Sequence, residues 1–374
     1  MIDDQLARWQ AAGLLDTATA ERIRSFEAAR DTTSGRFRWP VVLALAAGGL
    51  MLAAGALLFV AAHWTELSPN GRLLLLFGAV AAFHVGGAVS APRFGPLGST
   101  LHAVGTAALG GLIFLAGQTF HLETSWPQGF LLWAIGAWAG WLLLRDWPQA
   151  LYAALLTPIW LVGEWAHLAE GFGHVTPAVP LAGLLLLAFA YLHAPPPERA
   201  GRSAARTTLA VVGAVTLLPL AIAFRLALGE SGPWNPEAGS TAFRTIGWTL
   251  ALGLPLVTAW LLRGKAAWLT AAGGLWVLAG VLLGRHPGAW VFLWGGLGAA
   301  GVAASGVYEG SRLRINLGLA GFALTVLLFY FSSVMDRLGR SASLLVGGAL
   351  FLGIGWGLER VRRRLVAGLE APAP

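Results

Sequence analysis

Apolar stretches of about 20 residues alternate along most of this chain with short polar segments rich in arginine. An α-helix of about 20 apolar residues is long enough to cross the hydrocarbon core of a bilayer. The pattern therefore predicts an all-α, polytopic transmembrane bundle of about twelve helices. Their expected positions are 40–63, 72–90, 98–119, 127–145, 148–168, 175–193, 207–228, 242–262, 266–284, 288–307, 313–333 and 341–359.

The first 38 residues lack these long apolar stretches and carry apolar positions at helical spacing instead. Gly13 is a typical residue just past a helix end, and Asp16 or Thr17 is suited to cap a second helix. The segment predicts a short cytoplasmic helical hairpin in front of the membrane. The hairpin either anchors the bundle or docks a partner protein or a neighbouring subunit.

The distribution of arginine predicts which helix ends face the cytoplasm, because inner loops of membrane proteins carry an excess of Arg and Lys. With the N-terminus inside, the expected outer loops hold only Arg285, Arg337 and Arg340, with Arg72 at a helix edge. The expected inner segments hold Arg30, Arg36, Arg38, Arg93, Arg145, Arg199, Arg202, Arg206, Arg263, Lys265, Arg312, Arg314, Arg360, Arg362, Arg363 and Arg364. Both termini are therefore predicted to be cytoplasmic.

The longest expected inner loop is rich in Pro, Ala and Arg and divides the predicted helices into six plus six. No residue-level repeat relates the two groups. The expected organisation is a hairpin at 1–38, a first six-helix half at 39–193, a linker at 194–206, a second six-helix half at 207–360 and a basic tail at 361–374.

The amino-acid composition agrees with a membrane protein and excludes chemistry that depends on cysteine. The chain is 56% hydrophobic and 11% charged, whereas a soluble domain carries about 25% charged residues. The lipid bilayer is thus its expected partner, and the net charge of +7 needs no nucleic acid to explain it. The absence of cysteine excludes disulfides, thiolate metal ligands and cysteine nucleophiles. The acidic N-terminus is unlike a signal peptide.

Polar side chains gather at the expected outer ends of the first, third and fifth membrane helices. They are His63, Glu66, Gln118, His121, Glu123, Glu164 and His167. Histidine with a carboxylate binds divalent metals or relays protons. Polar residues at a membrane interface also serve as ordinary structural boundaries, so three hypotheses stand: interfacial structure, a proton or ligand site, and a metal site.

Two of the ionisable residues lie inside the predicted spans. Glu164 is about one turn inside its helix, where a carboxylate has to be paired, hydrated or protonated. His84 lies near the middle of the second helix. An intramembrane histidine marks a functional site or forms a hydrogen bond to a neighbouring helix, and both hypotheses remain open.

Four segments resemble a known family. A hairpin of the type "LARWQAAGLLDTATAERI" precedes "FVAAHWTELSPNGRLLLLF" and "GQTFHLETSWPQGFLLWAIGAW", and the chain closes with "YFSSVMDRLGRSASLLVGGALFLGIGWGLERVRRRL". Together they resemble the bacterial predicted membrane proteins of domain of unknown function 2157, and the named domain would cover roughly residues 5–150. The resemblance implies a polytopic inner-membrane protein, and it implies no known reaction.

Two functional hypotheses follow from the sequence. The first is transport or sensing of a small solute or proton, through the outer-face residues and a path toward His84. The second is a non-transporting scaffold or accessory protein, because the last six helices are poor in ionisable residues. A membrane enzyme ranks third, since no nucleophile or metal triad is recognisable, and no cofactor is expected.

Overall fold

The computed structural model describes the chain as a set of α-helices joined by short connections. The described residues are 12–33, 67–121, 125–170, 177–195, 203–230, 241–283, 290–334 and 340–370, with Leu6, Trp9, Gln10 and scattered helical positions between 44 and 62. No strand occurs in this part of the chain. The predicted all-α membrane bundle is therefore confirmed.

Twelve α-helices are described, and the first is the only one that precedes the membrane region. They are α1 (Thr17–Thr33), α2 (Pro69–Ser90), α3 (Gly95–Thr119), α4 (Trp126–Leu144), α5 (Trp147–Glu170), α6 (Ala178–Leu192), α7 (Ala204–Glu230), α8 (Thr241–Arg263), α9 (Trp268–Leu283), α10 (Trp290–Glu309), α11 (Arg312–Phe329) and α12 (Arg340–Glu370). A 3₁₀ turn (Gly264–Ala267) joins α8 to α9, and a π-helical turn (Tyr330–Val334) extends α11.

Helices α2 to α12 correspond one by one to the last eleven predicted spans, whereas the first span, 40–63, lies mostly outside the described residues. Seven described segments are long and apolar enough to cross a membrane, and α6 is apolar but shorter. Large apolar side chains are widely exposed on them, as at Leu74 (72%) and Leu143 (83%). Such exposure suits a surface that lipid covers, since lipid tails are as apolar as leucine.

The turn before α1 follows the chemistry that its sequence predicts. Gly13 has φ +70°, and its amide donates to Gln10 O at 3.0 Å. Asp16 caps α1, because its Oδ1 accepts from the Thr19 amide at 2.8 Å. Hydrogen bonds from Thr19, first from its side chain and then from its backbone, lower the pKa of Asp16. The predicted helix start is confirmed, with Asp16 as the cap.

The chain forms two compact units, Met1–Ala108 and Leu109–Pro374. In the second unit, α6 packs against α7 and α8, α4 against α5, and α10 against α11. Phe224, Leu185 and Trp294 lie in its apolar core. The helix pairs approach closely at glycine: a Cβ at Gly213 would lie 2.4 Å from the Ala188 carbonyl oxygen.

Candidate functional site

Two histidines face each other in the Met1–Ala108 unit. His84 on α2 and His102 on α3 place their Nδ1 atoms 3.1 Å apart, and the ring centroids are 5.4 Å apart. His84 is half-buried, and His102 is only 6% exposed. The intramembrane histidine that the sequence singled out therefore has a second histidine as its hydrogen-bond partner.

A glycine on the opposite helix supports each imidazole ring. A Cβ at Gly105 would lie 2.9 Å from the His84 ring, and a Cβ at Gly87 would lie 2.8 Å from the His102 ring. Each glycine stands three residues after the histidine of its own helix, so the two helices use the same His-x-x-Gly spacing. Positions i and i+3 share one helix face. Each helix therefore presents its histidine ring to the other helix, together with a glycine that leaves space for the ring of the other helix.

The short nitrogen–nitrogen distance has a chemical consequence. A neutral imidazole has one N–H donor and one acceptor nitrogen, so one of the two Nδ1 atoms carries the shared proton and the other accepts it. Either tautomer assignment satisfies the pair equally. A second proton on the accepting nitrogen would place two N–H groups against each other. A single added proton can occupy the distal Nε2 of the donor ring and leave the Nδ1–H···Nδ1 hydrogen bond intact, so only protonation of both rings breaks the bond.

Metal binding finds little support in this region. Within the described part of the chain, no three His, Asp or Glu side chains lie close enough together to hold a metal ion. Catalytic and structural zinc sites use three or four protein ligands. The histidine pair supplies two such ligands.

Of the seven predicted outer-face residues, His63, Glu66 and Glu123 lie outside the described residues. Gln118 is exposed in the last turn of α3. His121 follows α3, exposed and in the left-handed backbone region with φ 47°.

The other two outer-face residues lie on α5. Glu164 is half-buried, and His167 is exposed with its Nδ1 3.8 Å from Glu170 Oε2. Among Gln118, His121, Glu164 and His167, no hydrogen bond or ion pair joins any two. Their convergence into one site remains a prediction.

A buried ion network lies at the ends of α8, α10 and α11. Glu309, the last residue of α10, accepts from Arg263 at 2.6 Å and 3.3 Å and also pairs with Arg314. All three side chains are less than 10% exposed. A carboxylate between two guanidinium groups balances charges that would be costly to bury alone.

The same network holds the end of α6. Arg263 donates to the carbonyl oxygens of His193, at 2.8 Å, and of Pro195. The ring of His193 lies 3.0 Å from Ser305 Oγ through its Nε2. Four helix ends are therefore tied together at one level of the second unit.

Sequence reasoning missed the partners of both sites. His102 stands 18 residues after His84, and the repeated His-x-x-Gly spacing was the available signal. Glu309 is a lone carboxylate in an apolar helix, followed by "GSRLR". Its partner Arg263 is 46 residues away, so no local pattern pointed to the pair.

Comparison with known proteins supplies a family and no activity. Residues 7–150 match the sequence model of a family described as "Predicted membrane protein (DUF2157)". No curated protein and no solved structure matches the chain significantly. The matched region includes both histidines of the pair. The resemblance to this family is thus confirmed over residues 7–150, and together with its apolar helices it identifies the chain as a multi-pass membrane protein.

Proposed function

We propose that this protein senses or moves protons in the inner membrane of a bacterium, and that the pair of His84 and His102 is the group that takes up the proton. The observation that carries the proposal is the 3.1 Å contact between the two Nδ1 atoms. Histidine changes charge near neutral pH. Ionisable groups within membrane helices typically mark proton relays and ion pathways.

Protonation would act on the helix contact through geometry. One added proton places a charge in an apolar setting, which favours hydration of the rings. A second proton removes the acceptor of the His84–His102 hydrogen bond and sets two cations against each other, which favours separation of the rings. The rings fit against Gly105 and Gly87 with little spare space. A displaced ring therefore requires α2 and α3 to shift relative to each other.

The outer-face residues remain the proposed entry for a proton or a small solute. The described members Gln118, His121 and His167 are exposed, which supports contact with water at the membrane boundary. Glu164 is half-buried and is the member expected to pass a proton inward. We expect Glu164→Gln to slow proton flux into proteoliposomes that contain a pH-sensitive dye. A flux equal to that of the wild type would remove Glu164 from the mechanism.

The histidine pair is tested most directly through the distance between α2 and α3. The chain has no cysteine, so spin labels at Val85→Cys and Ser99→Cys report one distance without background labelling. We expect the distance distribution to change on acidification from about pH 8 to pH 5, the range in which histidine titrates. His84→Gln and His102→Gln remove the titrating groups and should abolish the response.

The control variant for this experiment is His286→Gln, which removes a histidine outside the candidate sites. It should keep the wild-type pH response. A response that survives in both His84→Gln and His102→Gln would overturn the proposal. Proton flux measured on the same proteins separates the two forms of the function. If the protein is a sensor, the wild type changes its α2–α3 distance with pH but carries no proton flux. If it is a transporter, the wild type shows both, and the histidine variants lose both.

A scaffold or accessory role is the second candidate, and the packing of the second unit favours it. A Cβ at Gly318 would lie 2.5 Å from the Ala303 amide nitrogen, so α10 and α11 approach as closely as backbones allow. An α2–α3 distance that is insensitive to pH, together with a stable complex formed through residues 1–38, would favour this role.

A further inference from the structure

The Leu109–Pro374 unit contains a long apolar groove. A cavity of about 680 Å³ lies between α4 and α5 on one side and α6 and α8 on the other. Its lining covers residues 150–165 of α5 and 247–262 of α8, or about 22 Å along each helix axis at 1.5 Å per residue. One leaflet of the hydrocarbon core is about 15 Å thick. The groove is thus long enough for an extended acyl chain.

Polar lining groups concentrate at one end of the groove. Tyr191 lies in the last turn of α6, and Ser203 and Arg206 lie at the start of α7. Arg145 adds a second cation at this end, with its guanidinium 4.8 Å from the ring centroid of Trp141. Helix ends lie at the depth of the lipid head groups, and the N-terminus of α7 carries a partial positive charge.

Several donors at the groove find no acceptor among the described residues. The indole N–H groups of Trp141 and Trp165 are buried, and none of the described residues accepts a hydrogen bond from them. Arg206 forms no ion pair with a described carboxylate. The hydroxyls midway along the groove are satisfied: Thr258 donates to Leu254 O at 2.8 Å, and Thr157 accepts from Trp138. The Arg206 guanidinium, at the polar end of the groove, therefore has no counter-charge among the described residues.

The far end of the groove is closed by aromatic packing. Trp165 stacks on Phe243, with ring centroids 4.2 Å apart, and its ring covers Gly247, where a Cβ would lie 2.2 Å away. Two prolines inside helices line the groove, Pro158 of α5 and Pro255 of α8. A proline inside a helix removes a backbone hydrogen bond and bends the axis, which opens space between the two helices.

We propose that this groove binds an anionic phospholipid, with one acyl chain between α5 and α8 and the phosphate held by Arg206. Arginine binds phosphate through paired charge-assisted hydrogen bonds. Basic groups between membrane helices bind acidic lipid head groups. A zwitterionic lipid fits the same groove, but its ammonium group opposes the cations at the polar end. The site therefore prefers phosphatidylglycerol to phosphatidylcholine.

Native mass spectrometry of the full chain tests this preference. The protein is purified in detergent, titrated with palmitoyl-oleoyl phosphatidylglycerol or phosphatidylcholine, and scored for one retained lipid. We expect phosphatidylglycerol to bind about tenfold more tightly, because both lipids offer a phosphate to Arg206 and only phosphatidylcholine adds an ammonium group that the cations repel. Arg206→Gln should remove that preference, and Arg206→Lys should restore most of it. Arg93→Gln removes an equal charge in the Met1–Ala108 unit and should leave the preference intact.

A second pair of variants tests the groove itself. Leu187→Trp places a larger side chain in the lining and should weaken binding of both lipids. Leu275→Trp, at a position 70% exposed and outside the groove, should not. Equal binding of both lipids by the wild type, or equal losses in Arg206→Gln and Arg93→Gln, would overturn the proposal. These variants leave His84 and His102 unchanged. A negative result for lipid binding therefore does not affect the proposed proton function, and the reverse also holds.

Discussion

At the scale of single residues, space decides which glycines matter. Gly86 and Gly87 are neighbours on α2, and both face α3. A Cβ at Gly87 would lie 2.8 Å from the His102 ring, whereas at Gly86 it would lie 3.7 Å from a Leu101 methyl carbon. The first distance forbids a side chain, and the second is an ordinary contact. Helix propensity treats the two glycines alike, so only their neighbours distinguish them.

We predict that Gly87→Ala destabilises the protein by about 1–3 kcal/mol, because the added methyl group displaces the His102 ring. Gly86→Ala should be neutral or stabilise by up to about 1 kcal/mol, since alanine is the better helix former. Thermal unfolding of the purified protein, followed by circular dichroism, measures both. Equal melting temperatures for the two variants would contradict the proposed fit of the ring against Gly87.

Burial likewise separates two carboxylates that each pair with two arginines. Glu309 is 7% exposed, and Glu359 lies on the exposed end of α12 with Arg362 and Arg363. We predict that Glu309→Gln costs about 3–5 kcal/mol, because two buried guanidinium groups lose their counter-charge. Glu359→Gln should have no measurable effect, since water replaces the lost partner. The comparison uses denaturant or thermal unfolding, and a similar loss for both would rule out the buried network as a stabilising element.

At the scale of elements, each helix is defined by local chemistry. Asp16 caps α1, and Ser68 caps α2 by accepting from the Gly71 amide at 3.2 Å. Proline follows Ser68 and Ser125 at or next to the first position of α2 and α4, where its missing N–H needs no partner. These signals lie within four residues of each helix start, so the sequence was sufficient to locate most helix ends.

We predict that Asp16→Ala speeds amide exchange in the first turn of α1, because the Thr19 amide loses its acceptor. The lowered pKa of Asp16 means that the charged cap stabilises α1 above the ordinary aspartate pKa. That stabilisation is lost as the pH falls through the lowered pKa. Asp16→Asn keeps the acceptor but does not titrate, so it should preserve protection and lack the acid sensitivity. Hydrogen–deuterium exchange read by mass spectrometry distinguishes the three proteins, and identical exchange in Asp16→Ala and wild type would refute the cap.

At the scale of the whole molecule, the arginine bias predicts the orientation of the bundle, with both termini in the cytoplasm. Because the chain has no native cysteine, single cysteines report accessibility cleanly. We predict that Ser203→Cys is protected from a membrane-impermeant maleimide in intact cells and that Ser231→Cys, after α7, is labelled. Cell lysis should expose both positions. Labelling in the reverse order would invert the topology and place the outer-face residues inside.

The sequence by itself determined the class of the fold and the position of eleven helices. A backbone in lipid has to satisfy its hydrogen bonds within each segment, so every span is encoded by a continuous apolar stretch. It also marked His84, since a histidine inside such a stretch is costly and therefore conspicuous. The fold class, the helix positions and the unusual placement of His84 follow from local composition, so they can be predicted without knowing which helices are in contact.

Only the tertiary structure decided which side chains meet. His102 pairs with His84 because glycines on both helices leave room for the rings, and Glu309 finds Arg263 because α8 and α10 end at the same level. The groove lined by Arg206 arises from five consecutive helices, α4 to α8, whose lining residues run from 138 to 262. Apolar stretches are interchangeable in hydrophobicity, so the choice of neighbours rests on shape, small residues and a few paired charges.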